Sequence, residues 1–143
     1  MPETTCNAEE GPLAMLYTTF PEAGPALAAA RVLIDERLVA CANLLPGMRS
    51  LYRWQGRVEI ADEVVLLLKT TSARMPEAMA RIAQLHPYDV PCVVEVPLGA
   101  VHGPYGDWLR ECVRGPGAED DRPHGSSASR DARTPSPPPS DAG

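Results

Sequence analysis

The sequence predicts an α+β domain in which a four-stranded antiparallel sheet carries two helices on one face, with a short third helix at the end. Three observations predict it. Four apolar, β-favouring runs stand apart along the chain, two stretches with apolar residues at helical spacing separate the first run from the second and the third from the fourth, and Gln55-Gly56 forms a hairpin-length break between the two middle runs.

The first run, LAMLYTTF from Leu13 to Phe20, is closed by Pro21. The stretch EAGPALAAARVLIDERLV follows with helical composition. Leu27, Ala30, Ile34 and Leu38 fall on one face at spacings of 3, 4 and 4, and Pro25 is tolerated only in a first turn, so the helix should begin near Glu22.

Ala40 to Trp54 and Arg57 to Thr71 read as two long strands joined by the Gln55-Gly56 turn. Pro46 and Gly47 interrupt the first of them. A proline removes a ladder donor and a glycine marks a break in pairing, so a bulge and an edge position are expected there. Ser72 is placed to cap a second helix carrying Met75, Met79, Ile82 and Leu85 on one face, and Pro87 should end it by forcing His86 out of helical conformation. Cys92 to Leu98 supplies the fourth strand. Tyr105, Trp108, Leu109 and Cys112 mark one face of the last helix.

The order is therefore βαββαβ plus a helix, the ferredoxin-like split βαβ arrangement, which leaves one sheet face without helices. The run VVLLL, Val64 to Leu68, and CVV followed by Val96 place apolar groups on both faces. A last helix of ten residues, about 15 Å long, is too short to cover such a face. A homo-oligomer packed through its sheets is expected.

The ends of the chain differ in composition. Residues 1–12 are polar and carry Glu3, Glu9 and Glu10, and residues 115–143 hold six of the 16 prolines and no large apolar side chain. Both read as disordered, leaving residues 13–114 as the folded domain. Of the net charge of −6, three negative charges belong to the leader and two to the tail, so the domain stands at −1. No run of like charge gives a nucleic-acid footprint, and no apolar window is long enough for a membrane span. Cys6, Cys41, Cys92 and Cys112 show no CxxC spacing, and no secretory leader is recognisable, so a reduced, cytoplasmic protein is expected.

Enzyme motifs are missing: there is no GxSxG, HExxH, GxxxxGK[ST] or GxGxxG, and the chain reads as a non-enzyme. The segment LHPYDVP, Leu85 to Pro91, sets an imidazole, a phenol and a carboxylate between two prolines. His86 there either caps the helix or serves a binding site. As a metal ligand it would act three times over near a threefold axis, or off-axis with Cys41, Glu63, Glu95 or a neighbouring subunit's groups. Cys41, Cys92 and Cys112 sit in apolar surroundings and read as inert packing. Tyr52 and Trp54, on one strand face, suit a pocket or a subunit contact, and Lys69, the only lysine, either snorkels out or faces an anionic partner.

The segments LVACANLLPGMRSLYRWQGRVE, EVVLLLKTT and HPYDVP, followed by YGDWL, resemble the CutA family of divalent-cation tolerance proteins across about Leu13 to Arg114. The resemblance implies a homotrimer of ferredoxin-like subunits similar to the PII signalling proteins. It also implies a response to divalent metals, with Cu²⁺ or another divalent cation as ligand. The ligands it suggests are a cysteine in the first strand and adjacent histidines before the Pro-Tyr; those positions here read Tyr17, Leu85 and His86, so His86 is the metal ligand it carries over, recruited from more than one subunit. Tyr52, Trp54, Lys69 and Tyr88 are the residues assigned to an inter-subunit pocket. The other readings are a PII-like small-molecule sensor and a structural, partner-anchoring trimer.

Overall fold

The computed structural model describes residues 11–115. Most of the leader and tail read above lies outside the described residues. Pro12 belongs to the domain, since its carbonyl accepts the Ser72 N–H at 2.9 Å.

The elements run β1 (Leu13–Phe20), α1 (Ala23–Asp35), β2 (Cys41–Trp54), β3 (Arg57–Thr71), α2 (Met75–Leu85), β4 (Val93–Pro97) and α3 (Gly103–Cys112). The strands form one antiparallel sheet in the order β2-β3-β1-β4. Each βαβ unit is thus split by a strand of the other, as the ferredoxin-like arrangement requires. No helix among the described residues is long and apolar enough to cross a membrane.

Alternation along the strands sorts the side chains. Ala14, Leu16, Thr18 and Phe20 of β1 and Val64, Leu66, Leu68 and Thr70 of β3 are buried, and the apolar members of this set join α1 and α2 in the main core. Ala26, Ala29, Ala30 and Leu33 form the buried face of α1, whereas Leu27 and Ile34 are exposed, so the face expected from Leu27, Ala30, Ile34 and Leu38 is corrected. Small alanines let the helix approach the sheet closely. Leu38 lies beyond the helix and is buried by its cap: its N–H reaches the Leu33 carbonyl while Arg37, at φ 61°, bonds the Ile34 carbonyl, which is a Schellman closure.

The breaks fall where the sequence puts them. The β2/β3 register shifts between Leu45 and Met48 with Gly47 at φ 77°, and Gln55 and Gly56 turn the hairpin with φ of 50° and 80°. Strand β2 is an edge of the sheet, with β4 at the other edge. Helix α2 ends at Leu85, with His86 extended before Pro87. Its start differs from expectation: no side chain caps it, the Ser72 carbonyl accepts the Met75 N–H, and Thr71 Oγ1 accepts the Arg74 N–H. Strand β4 begins one residue later than read, leaving Cys92 exposed. In α3 only Gly106 and Leu109 are buried, and Tyr105 and Trp108 of the expected face are exposed.

Beyond the bulge the hairpin outruns both helices. Leu51, Val58 and Ile60 there are 61–66% exposed, and Tyr52 and Trp54 on the opposite face are exposed as well.

Candidate functional site

Where the hairpin leaves the sheet, the loop after α2 folds against the ends of β1 and β3. Pro87 fixes His86 in extended conformation, which turns the imidazole back onto the domain. It is 8% exposed and lies 4.1 Å, centroid to centroid, from the Phe20 ring. Its Nδ1 accepts the Tyr88 N–H at 3.1 Å, so the ring proton belongs to Nε2, which donates to the Thr19 carbonyl at 2.7 Å. Burial lowers the His86 pKa from 6.5, partly opposed by the Thr19 bond and the Glu63 charge.

Glu63 is the charged member of this cluster. Its carboxylate is buried and accepts from Ser50 Oγ at 2.7 Å and from Tyr88 OH at 2.9 Å. Burial first, then the bond to Glu63, raises the Tyr88 pKa far above that of a free phenol. The Cys92 pKa is raised as well, by partial desolvation first and then by the Glu63 charge. With a neutral imidazole, a protonated phenol and an acceptor-only carboxylate, the group holds itself together and has no activated nucleophile.

A second polar cluster lies on the sheet face opposite α1 and α2, where α3 packs. Lys69 Nζ donates to Asn43 Oδ1 at 3.0 Å and to Tyr105 OH at 3.2 Å, Cys41 Sγ lies 3.6 Å from the same hydroxyl, and Tyr105 stacks on Trp108.

The residues singled out in the sequence therefore divide. Tyr88 joins His86, and Tyr52 lies near enough to raise the Tyr88 pKa, but Lys69 stands six residues along β3 from Glu63, about 20 Å away at the strand rise. Trp54 lies at the hairpin tip. Within one protomer these four do not line a common pocket. The central role of Glu63, and the parts of Ser50 and Thr19, had no sequence signal beyond an acid in an apolar strand; that signal is informative, because a buried carboxylate demands donors.

Copper ligation can be tested against the same geometry. Both imidazole nitrogens of His86 are occupied within the protomer, Tyr17 OH donates to Met48 Sδ at 3.9 Å, and Leu85 packs against the main core. No three His, Cys, Asp or Glu side chains gather at metal-binding range among the described residues. In this conformation the protomer does not fit a resident copper ion at His86.

This α+β domain, with its split βαβ sheet, third helix and overlong hairpin, belongs to a defined class: residues 14–112 match the profile of the CutA1 divalent ion tolerance proteins, and the chain is a member of that family. It is 45% identical over 97 residues to the divalent-cation tolerance protein CutA of Thermus thermophilus, a match that covers 68% of this chain and 94% of that one. Human protein CutA is 34% identical over 101 residues, 71% of this chain and 56% of the human protein. Among solved structures, CutA from Xylella fastidiosa superposes with a TM-score of 0.70 at 35% identity, covering 72% of this chain and 99% of that one.

Proposed function

We propose that the chain is a non-enzymatic divalent-cation tolerance protein that works in the cytoplasm as a homotrimer of PII-like architecture. Family membership across residues 14–112 supports the tolerance role. The observation that carries the assembly is the hairpin: a two-stranded ribbon is marginal alone in water, yet this one projects with Leu51, Val58 and Ile60 exposed on one face and Tyr52 and Trp54 on the other. Burial against neighbouring protomers resolves both problems. Cys41, Cys92 and Cys112 are unpaired, which suits a reducing compartment.

Copper or another divalent cation, on this reading, takes its ligands from more than one protomer, since one protomer gathers no set of three among its described residues. Light scattering tests the assembly: the wild type should run at three times the 15.4 kDa chain mass, and Ile60→Asp with Leu51→Asp should lower that mass. A wild-type monomer refutes the reading. A calorimetric Cu²⁺ titration of the same preparation should give a stoichiometry per trimer, lost together with the trimer in the double variant.

A further inference from the structure

The N-terminus of α2 and the C-terminus of α3 meet across a cavity of about 470 Å³, lined by Thr71, Ala73, Arg74, Glu77, Arg110, Val113, Arg114 and Gly115. Three guanidinium groups and one carboxylate face it. The arginines come from separate places in the chain: Arg74 is the N-cap residue of α2, Arg110 lies in the last turn of α3, and Arg114 stands two residues past the end of that helix.

Their ion pairs are arranged unevenly. The Arg74 and Arg110 side chains are only 19% and 15% exposed, whereas the partnering carboxylates of Glu77, Asp107 and Glu111 are 62–79% exposed. Asp107 and Glu111 lie outside the lining and stand 3.5 Å from Arg110 and Arg114. The Arg114–Glu111 pair, with both side chains half or more exposed, contributes about 0–1 kcal/mol and yields readily to a better partner.

Arg74 is held in place by two bonds. Its Nε donates to the Val113 carbonyl at 3.0 Å and its Nη1 to Glu77 at 3.0 Å, which leaves the Nη2 amino group directed by two fixed bonds. The first turn of α2 has no side-chain cap, and its end of the helix dipole favours negative charge. Charge, donor geometry and space therefore agree on one ligand chemistry.

We propose that this cavity binds a phosphate-bearing anion, with Arg74, Arg110 and Arg114 as its donors and Glu77 as the group that the anion partly displaces. The site lies within one protomer and is separate from the divalent-cation reading above. Guanidinium groups suit it because their planar forks match phosphate oxygens.

Calorimetric titration of the full chain with inorganic pyrophosphate tests the assignment, beside Arg114→Gln, Glu77→Gln and the surface control Arg31→Gln. Arg114 is half exposed just past α3, so its replacement leaves the fold intact. The expected result is saturable binding, one anion per chain, weakened about tenfold or more by Arg114→Gln, tightened about threefold by Glu77→Gln and unchanged by Arg31→Gln. No saturable binding, or equal effects of Arg114→Gln and Arg31→Gln, would overturn it. ADP binding more tightly than pyrophosphate would identify an organic phosphate as the ligand; equal or weaker ADP binding would identify the inorganic anion.

Discussion

Replacing His86 with alanine separates two roles that give opposite experimental signatures. If the imidazole is a structural latch, its loss orphans the Thr19 carbonyl and the Tyr88 N–H and removes a ring packed 4.1 Å from Phe20. Each hydrogen bond contributes about 1 kcal/mol net, an orphaned buried acceptor adds about 1–3 kcal/mol, and the lost aromatic contact about 0.5–1.5 kcal/mol. The expected destabilisation is about 3.5–6.5 kcal/mol. Urea unfolding followed by circular dichroism, at matched protein concentrations, measures it. A loss below about 1 kcal/mol, together with abolished Cu²⁺ binding, would refute the latch and make His86 a ligand.

The same residue sets a pH signature. Burial lowers the folded-state pKa of His86 below 6.5, so the folded state binds fewer protons than the unfolded chain in the interval beneath 6.5. Its contribution to stability is complete above pH 6.5 and declines as the pH falls towards the depressed value. In His86→Gln that part of the decline should vanish.

Two further substitutions test local reasoning. Thr18 Oγ1 is buried without a hydrogen-bond partner, so Thr18→Val, which keeps the shape and removes the hydroxyl, should leave urea stability unchanged or raise it by about 1 kcal/mol; a loss above about 1 kcal/mol would mean that the hydroxyl has a partner. Gly47→Ala meets no atom within 4 Å but must hold φ at 77°, so it should cost about 1 kcal/mol from backbone strain alone, read as a lower urea midpoint with unchanged oligomer mass.

Much of this architecture is legible in the sequence because local chemistry decides it. Pro87 ends α2, Gly47 permits the bulge, and Gln55-Gly56 supplies the positive φ pair that a two-residue hairpin needs. The buried face of α1 is less legible: leucine and isoleucine weigh more in a hydrophobic pattern than alanine, yet the sheet accepts Ala26, Ala29 and Ala30 because they let the helix approach closely. The start of α2 is also less legible: Ser72 is the hydroxyl the sequence offers as a cap, yet it takes part through its carbonyl, and no side chain caps the helix. The polar cluster was least visible, since Glu63 meets Ser50 and Tyr88, residues 13 and 25 positions away, and only the folded register brings them together. Whether His86 has a free nitrogen depends likewise on a carbonyl 67 residues earlier in the chain.

The position of that cluster explains its composition. The bulge between Leu45 and Met48 frees β2 to bend, and a bent two-stranded ribbon has no intrinsic direction. Ser50 and Glu63 stand immediately beyond the bulge, one on each strand of the ribbon, and Tyr88 ties Glu63 to a loop that His86 pins to β1. The chain of bonds from β1 through the loop to the hairpin root therefore fixes the angle at which Leu51, Val58 and Ile60 project. An apolar core could fill the same space, but it would not set an angle, because its contacts are non-directional. Hydrogen bonds to a buried carboxylate are directional, and leaving one unmade is costly. The projecting hairpin is thus aimed by the least apolar part of the interior.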